Sequence, residues 1–241
     1  MRLYGDLAKW YPLIVSAEDY AEEAGHLLSV IDATVGADAS TFLELGAGAG
    51  HMASHLGGRF KCTLTDLSPD MLDLSRELNP AFEHVQADMR TMRLGRTFDA
   101  VLVHDAIAYM TTEDDLRCVF ETAAAHLAPR GVAIFIPDLI KDTFEPTFES
   151  GGRDAPDGSG LRYLEWAHDP DPSDNVLDVD FALMIREAGQ PVRVEHESHQ
   201  EGLFDRATWH RLMASAGLER VQVDVFDPYA DQHEVFVARR S

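Results

Sequence analysis

Apolar and polar positions follow two alternating patterns along the chain up to residue 138. Residues 17–35 carry apolar side chains with the period of an amphipathic helix, and Ser16 with Asp19 forms a predicted capping box at its start. Further helices are predicted after Ser68 and over residues 112–128. Short apolar runs between the helices predict strands over residues 41–45, 61–66, 82–87, 98–104 and 131–137. Strands that alternate with helices indicate a doubly wound, parallel α/β sheet.

The pattern changes between residues 139 and 203. A loop rich in glycine, aspartate and proline leads into three runs, over residues 161–167, 176–186 and 191–199, with no helical stretch between them. Runs that are separated only by turn residues predict a small antiparallel sheet inserted after the fifth strand.

The α/β pattern then resumes to the end of the chain. Asp205 is the expected N-cap of a helix over residues 206–216, and strands are predicted over 219–226 and 233–239. Their connection is short, so we expect an antiparallel hairpin. The sequence therefore predicts one α/β domain over residues 1–241, with a seven-stranded and mostly parallel sheet.

Charge and composition narrow the range of partners. The chain has 42 acidic and 20 basic residues, a net charge of −22, which disfavours binding to nucleic acid. No apolar run approaches the roughly 20 residues of a membrane span, and the first residues do not form a signal peptide pattern. We therefore expect a cytoplasmic monomer or homodimer, with Cys62 and Cys118 as packed thiols. The net charge indicates a solvated, soluble surface, and the alternative is a positively charged small substrate.

A glycine-rich loop, "LELGAGAGH", follows the first predicted strand. The dinucleotide-binding pattern G-x-G-x-x-G would require glycine at position 51, but that residue is His51, and the third glycine is Gly50. There is also no G-K-[ST] of a P-loop. Because a helix is predicted to follow, we expect free backbone amides that bind an anion. The alternative is a glycine turn that only lets the strand and the helix pack closely.

Two aspartates end the next two predicted strands. Asp66 lies 20 residues after Gly46, where an acidic residue commonly binds ribose hydroxyls. Asp88, in "QADMR", could accept a hydrogen bond from an adenine amino group, with Met89 donating its backbone amide. The alternatives are a helix-capping role for Asp66 and a turn role for Asp88.

Taken together, these segments resemble the class I S-adenosylmethionine-dependent methyltransferases. The resemblance rests on "LELGAGAG", "LTDLSPDML", "QADMR", "FDAVLVHDAIAYM" and "HLAPRGVAIFIPD", and covers residues 38–138 with the final helix and hairpin. The segment "DMRTMRLGRTFDAV" and the insert also resemble the small-molecule branch that includes the amino-sugar N,N-dimethyltransferases. The resemblance implies the Rossmann-like methyltransferase fold and S-adenosylmethionine as cofactor, with S-adenosylhomocysteine as product.

The resemblance also implies positions for the cofactor. It places the glycine loop under the methionine part, Asp66 at the ribose, and His104 near the methyl sulfur. The N-terminal residues Tyr4, Trp10 and Tyr11 would fold over the cofactor. The full set of expected cofactor-binding residues is Tyr11, Glu44, Gly46, Ala47, Gly48, Asp66, Leu67, Met71, Asp88, Met89 and His104.

The chemistry of methyl transfer needs orientation more than a reactive side chain. The sulfonium is already an activated methyl donor, so neither a metal nor a covalent nucleophile is required, and we expect no metal site. An amine or hydroxyl acceptor must still lose a proton. The first candidate for the base is His104, followed by Tyr11 and Asp138; the alternative for His104 is a residue that only shapes the pocket.

The acceptor is expected to be a small molecule that is methylated on nitrogen or oxygen. The predicted acceptor site is built by the N-terminal lid and helix, residues 1–37, and by the insert, residues 139–203. Within it we expect Tyr109, Glu165 and Trp166 to contact substrate. Glu165 and Trp166 would offer a carboxylate beside an aromatic face, which suits a cation. The alternative for Tyr109 is packing in the core. His196, His199 and Glu201 are expected at the surface. The alternative functions are a non-catalytic S-adenosylmethionine-binding or scaffolding protein and an NAD-dependent oxidoreductase.

Overall fold

The computed structural model describes residues 1–223 and 234–240. Its α-helices are α1 (Ala21–Val35), α2 (His51–Ser54), α3 (Pro69–Leu78), α4 (Glu113–His126) and α5 (Arg206–Ser215), and 3-10 helices cover Ala8–Leu13, Ala17–Tyr20 and Asp105–Tyr109. Its strands are β1 (Thr41–Leu45), β2 (Lys61–Asp66), β3 (Glu83–Gln86), β4 (Phe98–Val103), β5 (Leu127–Phe135), β6 (Thr147–Gly151), β7 (Gly160–His168), β8 (Val176–Arg186), β9 (Arg193–Gly202), β10 (Leu218–Arg220) and β11 (Phe236–Arg240).

The main sheet has the strand order β10-β11-β5-β4-β1-β2-β3. Strands β5, β4, β1, β2 and β3 are parallel to one another. Strand β11 runs antiparallel to both β5 and β10. This order confirms the predicted seven-stranded, mostly parallel sheet. As a result, the carboxyl ends of β1, β2, β4 and β5 meet at one edge, where ligands of open α/β sheets bind.

Two boundaries of the main sheet differ from the sequence prediction. The helix expected to reach residue 128 ends at His126, because β5 already begins at Leu127, which pairs with Phe98 before a register shift. The strand expected over 219–226 is present only as the three residues of β10, and residues 221–223 are not in a strand. Residues 224–226 of that predicted strand, and residue 233 of the last one, lie outside the described residues.

Side-chain caps account for several helix starts. The Ser68 hydroxyl accepts the Met71 amide at 3.2 Å, and an Asp205 carboxylate oxygen accepts the Thr208 amide at 2.7 Å. Caps of this kind stabilise a helix by about 0.5–2 kcal/mol. The predicted capping box at Ser16 is present, but it begins the 3-10 helix that precedes α1.

The second sheet is antiparallel, with the order β6-β7-β8-β9, and it lies between β5 and α5 in the chain. It confirms the predicted antiparallel insert. It also contains β6, although a loop was predicted from residue 149 onward. Its inner face carries Leu161, Phe181 and Leu183, which pack against the N-terminal residues Leu3 and Trp10. The N-terminal segment thus joins the second sheet to the rest of the molecule.

Apolar packing holds helices on both faces of the main sheet. On one face, Phe120 of α4 contacts Phe135 of β5 with ring centroids 4.8 Å apart, and Trp209 of α5 stacks on Phe236 of β11 at 4.6 Å. Burial of each such side chain contributes about 1.5–3 kcal/mol. Among the described residues, every helix is too short or too polar to span a bilayer.

The two cysteines are free. Cys62 is buried in β2, and Cys118 is partly buried in α4. Burial raises the pKa of the Cys62 thiol to about 12. Their positions agree with the expectation of packed thiols.

Gly46 tests the contact between the glycine loop and the residues after β4. Its φ is 75°, and an added Cβ would overlap the Cβ of Ala106. We expect Gly46→Ala to lower the free energy of unfolding by about 2–4 kcal/mol, from backbone strain and overpacking together. Urea unfolding measures the change.

Two control variants separate strain from contact. Gly95 has a φ of 70° but open space around its Cα, so Gly95→Ala should cost only about 1 kcal/mol. Gly58→Ala has neither problem and should change stability by less than about 0.5 kcal/mol. If Gly46→Ala and Gly95→Ala lowered the free energy of unfolding equally, the close contact between Gly46 and Ala106 would be contradicted.

Candidate functional site

The glycine loop crosses the edge of the main sheet where β1 ends. Gly46, Gly48 and Gly50 all have positive φ, a conformation that glycine adopts without strain. At Gly48 a Cβ would meet nothing closer than the Met71 Cε at 3.5 Å, so this part of the loop has room beside it. The close packing of Gly46 against Ala106 brings the loop beside the residues that follow β4.

Most amides of this loop are already bonded within the protein. The Gly46 and Ala47 amides both donate to the Thr65 carbonyl at 2.8 Å, and the Gly50 amide donates to the Ala47 carbonyl at 2.8 Å. The expectation of free loop amides is therefore wrong for these residues. The helix that follows, α2, is also only four residues long, so the loop shapes the site mainly through its small side chains.

Asp66 fixes the loop from the end of β2. Its Oδ2 accepts the Gly48 amide and its Oδ1 accepts the Ser68 amide, each at 2.8 Å. Burial raises the pKa of Asp66, although these two amides oppose the shift. Each carboxylate oxygen keeps a second lone pair, so Asp66 can still accept from ribose hydroxyls. The adjacent Leu67 is 65% exposed and offers apolar surface to a planar ring.

Glu44 is a buried carboxyl whose Oε2 has no hydrogen-bond partner among the described residues. It is 3% exposed, and burial raises its pKa to about 8. A buried oxygen without a hydrogen-bond partner destabilises the protein unless a ligand supplies a donor. Glu44 lies just before the glycine loop, so its Oε2 could accept a hydrogen bond from the amino group of an amino-acid ligand.

Asp88 and Met89 follow β3, and the Asp88 carboxylate already has a partner within the protein. Both oxygens of Asp88 accept hydrogen bonds from Arg90, with the shortest at 2.7 Å, and this arginine lowers the pKa of Asp88. An adenine amino group would have to share Asp88 with Arg90, which also contacts Asp115. The Met89 side chain packs on the core and approaches Gly46.

The N-terminal segment covers the glycine loop. Met71 is fully buried in a cluster with Ala8 and Ala49, and Tyr4 and Tyr11 pack on the same cluster. The Ser68 hydroxyl donates to the Tyr4 carbonyl, which ties the segment to the start of α3.

Tyr11 and Trp10, both expected to cover the cofactor, lie on different sides of the N-terminal segment. Tyr11 stacks on His51 at 5.7 Å beside the glycine loop, whereas Trp10 is buried against the second sheet. Tyr4 and Tyr11 therefore line the site, and Trp10 packs away from it.

His104 follows β4 and is held between two carboxylates. Its Nε2 lies 2.6 Å from Glu23 Oε1, and its Nδ1 lies 2.6 Å from Asp105 Oδ1. Burial acts to lower the pKa of His104, but Asp105 and Glu23 outweigh it, and the pKa lies well above its usual value. Both ring nitrogens thus face carboxylate oxygens, which favours the protonated imidazole.

Asp105 and Asp138 form a carboxyl pair where β4 and β5 end. The two side chains lie close enough to influence each other's ionisation. Burial raises the pKa of Asp138 well above the usual value of an aspartate, and the nearby charges of Asp105 and Glu201 add to this. Burial acts in the same direction on Asp105, but His104 outweighs it and lowers the pKa of Asp105 below the usual value. Asp138 is nevertheless accessible and the Asp105 side chain is 41% exposed. Because these carboxyl groups are surrounded by protein and yet accessible, we infer a recess at this edge of the main sheet, which we call the cavity.

The second sheet adds side chains to the same cavity. The Tyr109 hydroxyl lies 2.7 Å from the Tyr4 hydroxyl, and the Tyr109 ring lies 5.5 Å from that of His199. His199 Nε2 in turn lies 3.1 Å from Glu201 Oε1. The side chains of His199 and Glu201 are 9% and 13% exposed, so the expectation that they lie at the surface is wrong.

Strand geometry separates the expected substrate pair Glu165 and Trp166. Successive residues of a strand point to opposite faces, so only Glu165 lies on the inner face with Phe181, its register partner. Trp166 is 53% exposed on the outer face, opposite Asp180. The two residues cannot hold one substrate group together.

Glu23, Tyr20 and Asp105 form a unit with His104 that the sequence alone does not predict. The Tyr20 ring contacts His104 edge to face at 5.8 Å, and its hydroxyl donates to Asp105 at 3.4 Å. Glu23 lies on α1, some 80 residues before His104, and no local pattern indicates this pairing.

Comparison with known proteins matches residues 42–131 to a methyltransferase domain family. The chain is 27% identical over 218 residues to the dTDP-3-amino-3,6-dideoxy-alpha-D-glucopyranose N,N-dimethyltransferase of Streptomyces fradiae, with 89% of this chain and 84% of that protein covered. DesVI of Streptomyces venezuelae has a TM-score of 0.83 at 25% identity, with 97% and 98% covered. An amino pentose methyltransferase from Micromonospora echinaspora, solved with S-adenosylmethionine bound, has a TM-score of 0.78 at 26% identity, with 92% of both chains covered.

The ion pair between His104 and Glu23 can be tested by titration. Glu23→Gln removes a carboxylate 2.6 Å from the imidazole, so we expect the pKa of His104 to fall towards about 6.5, from a wild-type value well above it. Nuclear magnetic resonance of the histidine ring protons measures both values. Glu77→Gln, on the exposed side of α3, should leave them unchanged.

Stability should follow the same protonation. Because the folded-state pKa of His104 is raised, its contribution to the free energy of unfolding is complete below about pH 6.5 and is lost as pH rises through the folded value. The loss over that window should be smaller in Glu23→Gln. A wild-type His104 that titrates at or below about pH 6.5 would contradict the network.

Proposed function

We propose, from the premise that the chain is a class I S-adenosylmethionine-dependent methyltransferase, that it methylates an amino nitrogen of a small amino sugar. The observation that carries the choice of nitrogen is the Asp105–Asp138 carboxyl pair on the cavity wall. The relatives support the choice of sugar, since the one from Streptomyces fradiae is named as an N,N-dimethyltransferase of an amino sugar.

The cofactor side of the site would be held by residues around the glycine loop. When bound, S-adenosylmethionine supplies a methyl group that is already activated by its sulfonium. We propose that Asp66 binds the ribose hydroxyls, that Glu44 meets the amino group of the methionine part, and that Leu67 packs on the adenine. The room beside Gly48 supports a close approach of the cofactor to the backbone. Asp88 would share its carboxylate between the adenine and Arg90.

The acceptor amine would enter as an ammonium ion. A simple amine has a pKa of about 10 and is mostly protonated at neutral pH, so a carboxylate wall attracts it but a proton must leave before attack. We propose Asp138 as the proton acceptor, because its raised pKa makes it a better base than an ordinary aspartate. Departure of the proton leaves the nitrogen lone pair free to attack the methyl carbon.

The other two candidate bases are less suited to this step. Both nitrogens of His104 face carboxylates, so the imidazole has no lone pair to offer. Burial raises the pKa of Tyr11, which keeps its hydroxyl protonated. We propose instead that His104 holds the charge of Asp105 in place and that Tyr11 covers the cofactor. A hydroxyl acceptor is disfavoured because a carboxylate is too weak a base for it.

The N-terminal residues 1–37 and the residues 139–203 would form the acceptor side of the site. The packing of Leu3 and Trp10 on the inner face of the second sheet supports this division, since both parts meet above the carboxyl ends of β4 and β5. Tyr109 and Glu165 would contact the acceptor from this side.

Turnover with defined acceptors tests the function. The protein is incubated with S-adenosylmethionine and a panel of free and nucleotide-linked amino sugars, each paired with its hydroxyl analogue. We expect S-adenosylhomocysteine release and mass gains of one or two methyl groups with amino acceptors only. Methylation of the hydroxyl analogues, or cofactor binding without turnover across the panel, would overturn the proposal.

Asp66→Ala tests the cofactor assignment. Loss of a hydrogen bond between a carboxylate and the ribose should weaken S-adenosylmethionine binding about tenfold to a hundredfold in calorimetric titration. Asp70→Ala, in the exposed first turn of α3, is the matched control and should bind normally. Unchanged affinity in Asp66→Ala would exclude the ribose contact.

Asp138→Asn tests the base. We expect kcat to fall about a hundredfold to ten-thousandfold while the affinity for S-adenosylmethionine stays the same. In the wild type, the rate should rise with pH as Asp138 and the amine lose protons, and this rise should flatten in the variant at low pH. Asp38→Asn, in an exposed turn, is the control for a general effect of removing charge. A variant that folds and turns over at the wild-type rate would remove Asp138 from the mechanism.

A further inference from the structure

The outer face of the second sheet carries a continuous run of apolar side chains. They form three pairs in the register of the strands: Phe148 with Trp166, Leu164 with Ala182, and Met184 with Val194. Each pair lies one strand further from β6 than the last, so the six residues form a diagonal line across all four strands, which we call the apolar stripe. Apart from the partly buried Ala182, its members are between 47% and 76% exposed.

The apolar stripe crosses a face that is large enough for a stable interface. Four strands that lie about 4.8 Å apart and average about nine residues, at about 3.3 Å per residue, cover about 600 Å². Two such faces bury about 1,200 Å² in total, which is the lower limit of a specific protein–protein interface. A continuous apolar run across the middle of such a face marks an interaction surface.

The outer face differs from the rest of the protein in its charge. The chain carries a net charge of −22, so two copies repel each other unless they meet at a surface of low charge. The inner positions of β6–β9 hold five glutamates and one arginine. The outer positions of these four fully described strands hold, apart from histidines, two arginines and two aspartates: Arg162, Arg186, Asp178 and Asp180. A second copy of the chain can therefore approach the outer face with little repulsion.

The two arginines lie on one side of the apolar stripe. Arg162 is the register partner of Met184, and Arg186 lies at the end of β8, beyond the stripe. Each contacts a different oxygen of Asp154 at 3.2 Å. Because two arginines share one carboxylate, this side of the stripe keeps an excess of positive charge.

The two aspartates lie on the other side of the apolar stripe. Asp178 and Asp180 occupy outer positions in the first half of β8. Hydrogen bonds from Ser198, His168 and His196 lower the pKa of Asp180, so this carboxylate is charged at neutral pH. This side of the stripe therefore keeps a negative charge.

A two-fold rotation about an axis along the apolar stripe makes the outer face complementary to itself. The rotation brings the apolar side chains of one copy against those of the other, and it exchanges the two sides of the stripe. The arginine side of each copy then lies opposite the aspartate side of its partner. Homodimers commonly use such isologous contacts, in which the same surface of each copy forms the interface.

We propose that the chain forms a homodimer in which the outer faces of the two second sheets pack against each other along the apolar stripe. Two sheets that pack face to face lie about 10 Å apart and exclude water from the side chains between them. The inner faces stay turned towards the N-terminal residues of their own chain, so each copy keeps its own candidate site. The dimer does not depend on the proposed function.

The molecular mass in solution tests the dimer. Sedimentation equilibrium at micromolar protein concentration should give twice the chain mass of 26.7 kDa. Leu164→Glu introduces a charge into the apolar stripe and should give the mass of one chain. Leu78→Glu, at the exposed end of α3, is the matched control and should remain dimeric. Circular dichroism checks that both variants fold. A monomeric wild type, or a folded Leu164→Glu variant that stays dimeric, would overturn the proposal.

Disulfide trapping locates the two-fold axis without adding charge to the interface. Ala182 lies within the apolar stripe, so Ala182→Cys should bring two thiols together across the axis, and mild oxidation should link the copies covalently. Gln200→Cys, on the same face but near the far end of β9, is the control and should stay unlinked. Oxidised wild type measures the background from Cys62 and Cys118. Equal linkage of the two variants, or none with Ala182→Cys, would overturn the arrangement along the stripe.

Discussion

The contact between Gly46 and Ala106 is the constraint on which the site depends. It brings the loop after β1 against the turn after β4, so that residues far apart in sequence surround one cavity. Asp66 then stabilises the loop from β2 by accepting the Gly48 amide. Any side chain at position 46 would separate these segments, and with them the cofactor side and the acceptor side of the site.

Uneven burial of charge is the second organising feature. His104 lies between Glu23 and Asp105, and the closeness of Asp105 and Asp138 disfavours ionisation of both carboxyls at once in the free protein. Such an arrangement is costly for an empty protein, since buried charge needs compensation. The cationic acceptor proposed above would supply that compensation, which would link the stability of the cavity to its chemistry.

The sequence was sufficient for features that depend on local order. Alternation of strands and helices predicted the main sheet, and the position of Asp66 at the end of β2 followed from the edge at which parallel strands finish. Backbone bonding was not accessible in this way: the loop amides looked free because their acceptor, the Thr65 carbonyl, lies on another strand. His104 looked like a free base for the same reason, since Glu23 lies on α1.

The second sheet shows the limit of reading composition without geometry. Glu165 and Trp166 are neighbours in sequence but lie on opposite faces of the sheet. His199 and Glu201 were predicted at the surface, because Tyr109, which contacts His199, belongs to a turn far away in the sequence. Glycine and aspartate near residue 149 suggested a loop, whereas pairing with β7 makes β6 a strand. Long-range pairing decided each of these cases, and a single sequence does not record it.

The N-terminal segment contacts both walls of the site. Tyr4 accepts the Ser68 hydroxyl and packs on Met71 at the cofactor side, and its own hydroxyl meets Tyr109 at the acceptor side, while Leu3 is anchored by Glu197 of β9. One short stretch of chain thus contacts both proposed binding surfaces at once. Displacement of this segment from one wall would therefore disturb its contacts with the other wall as well.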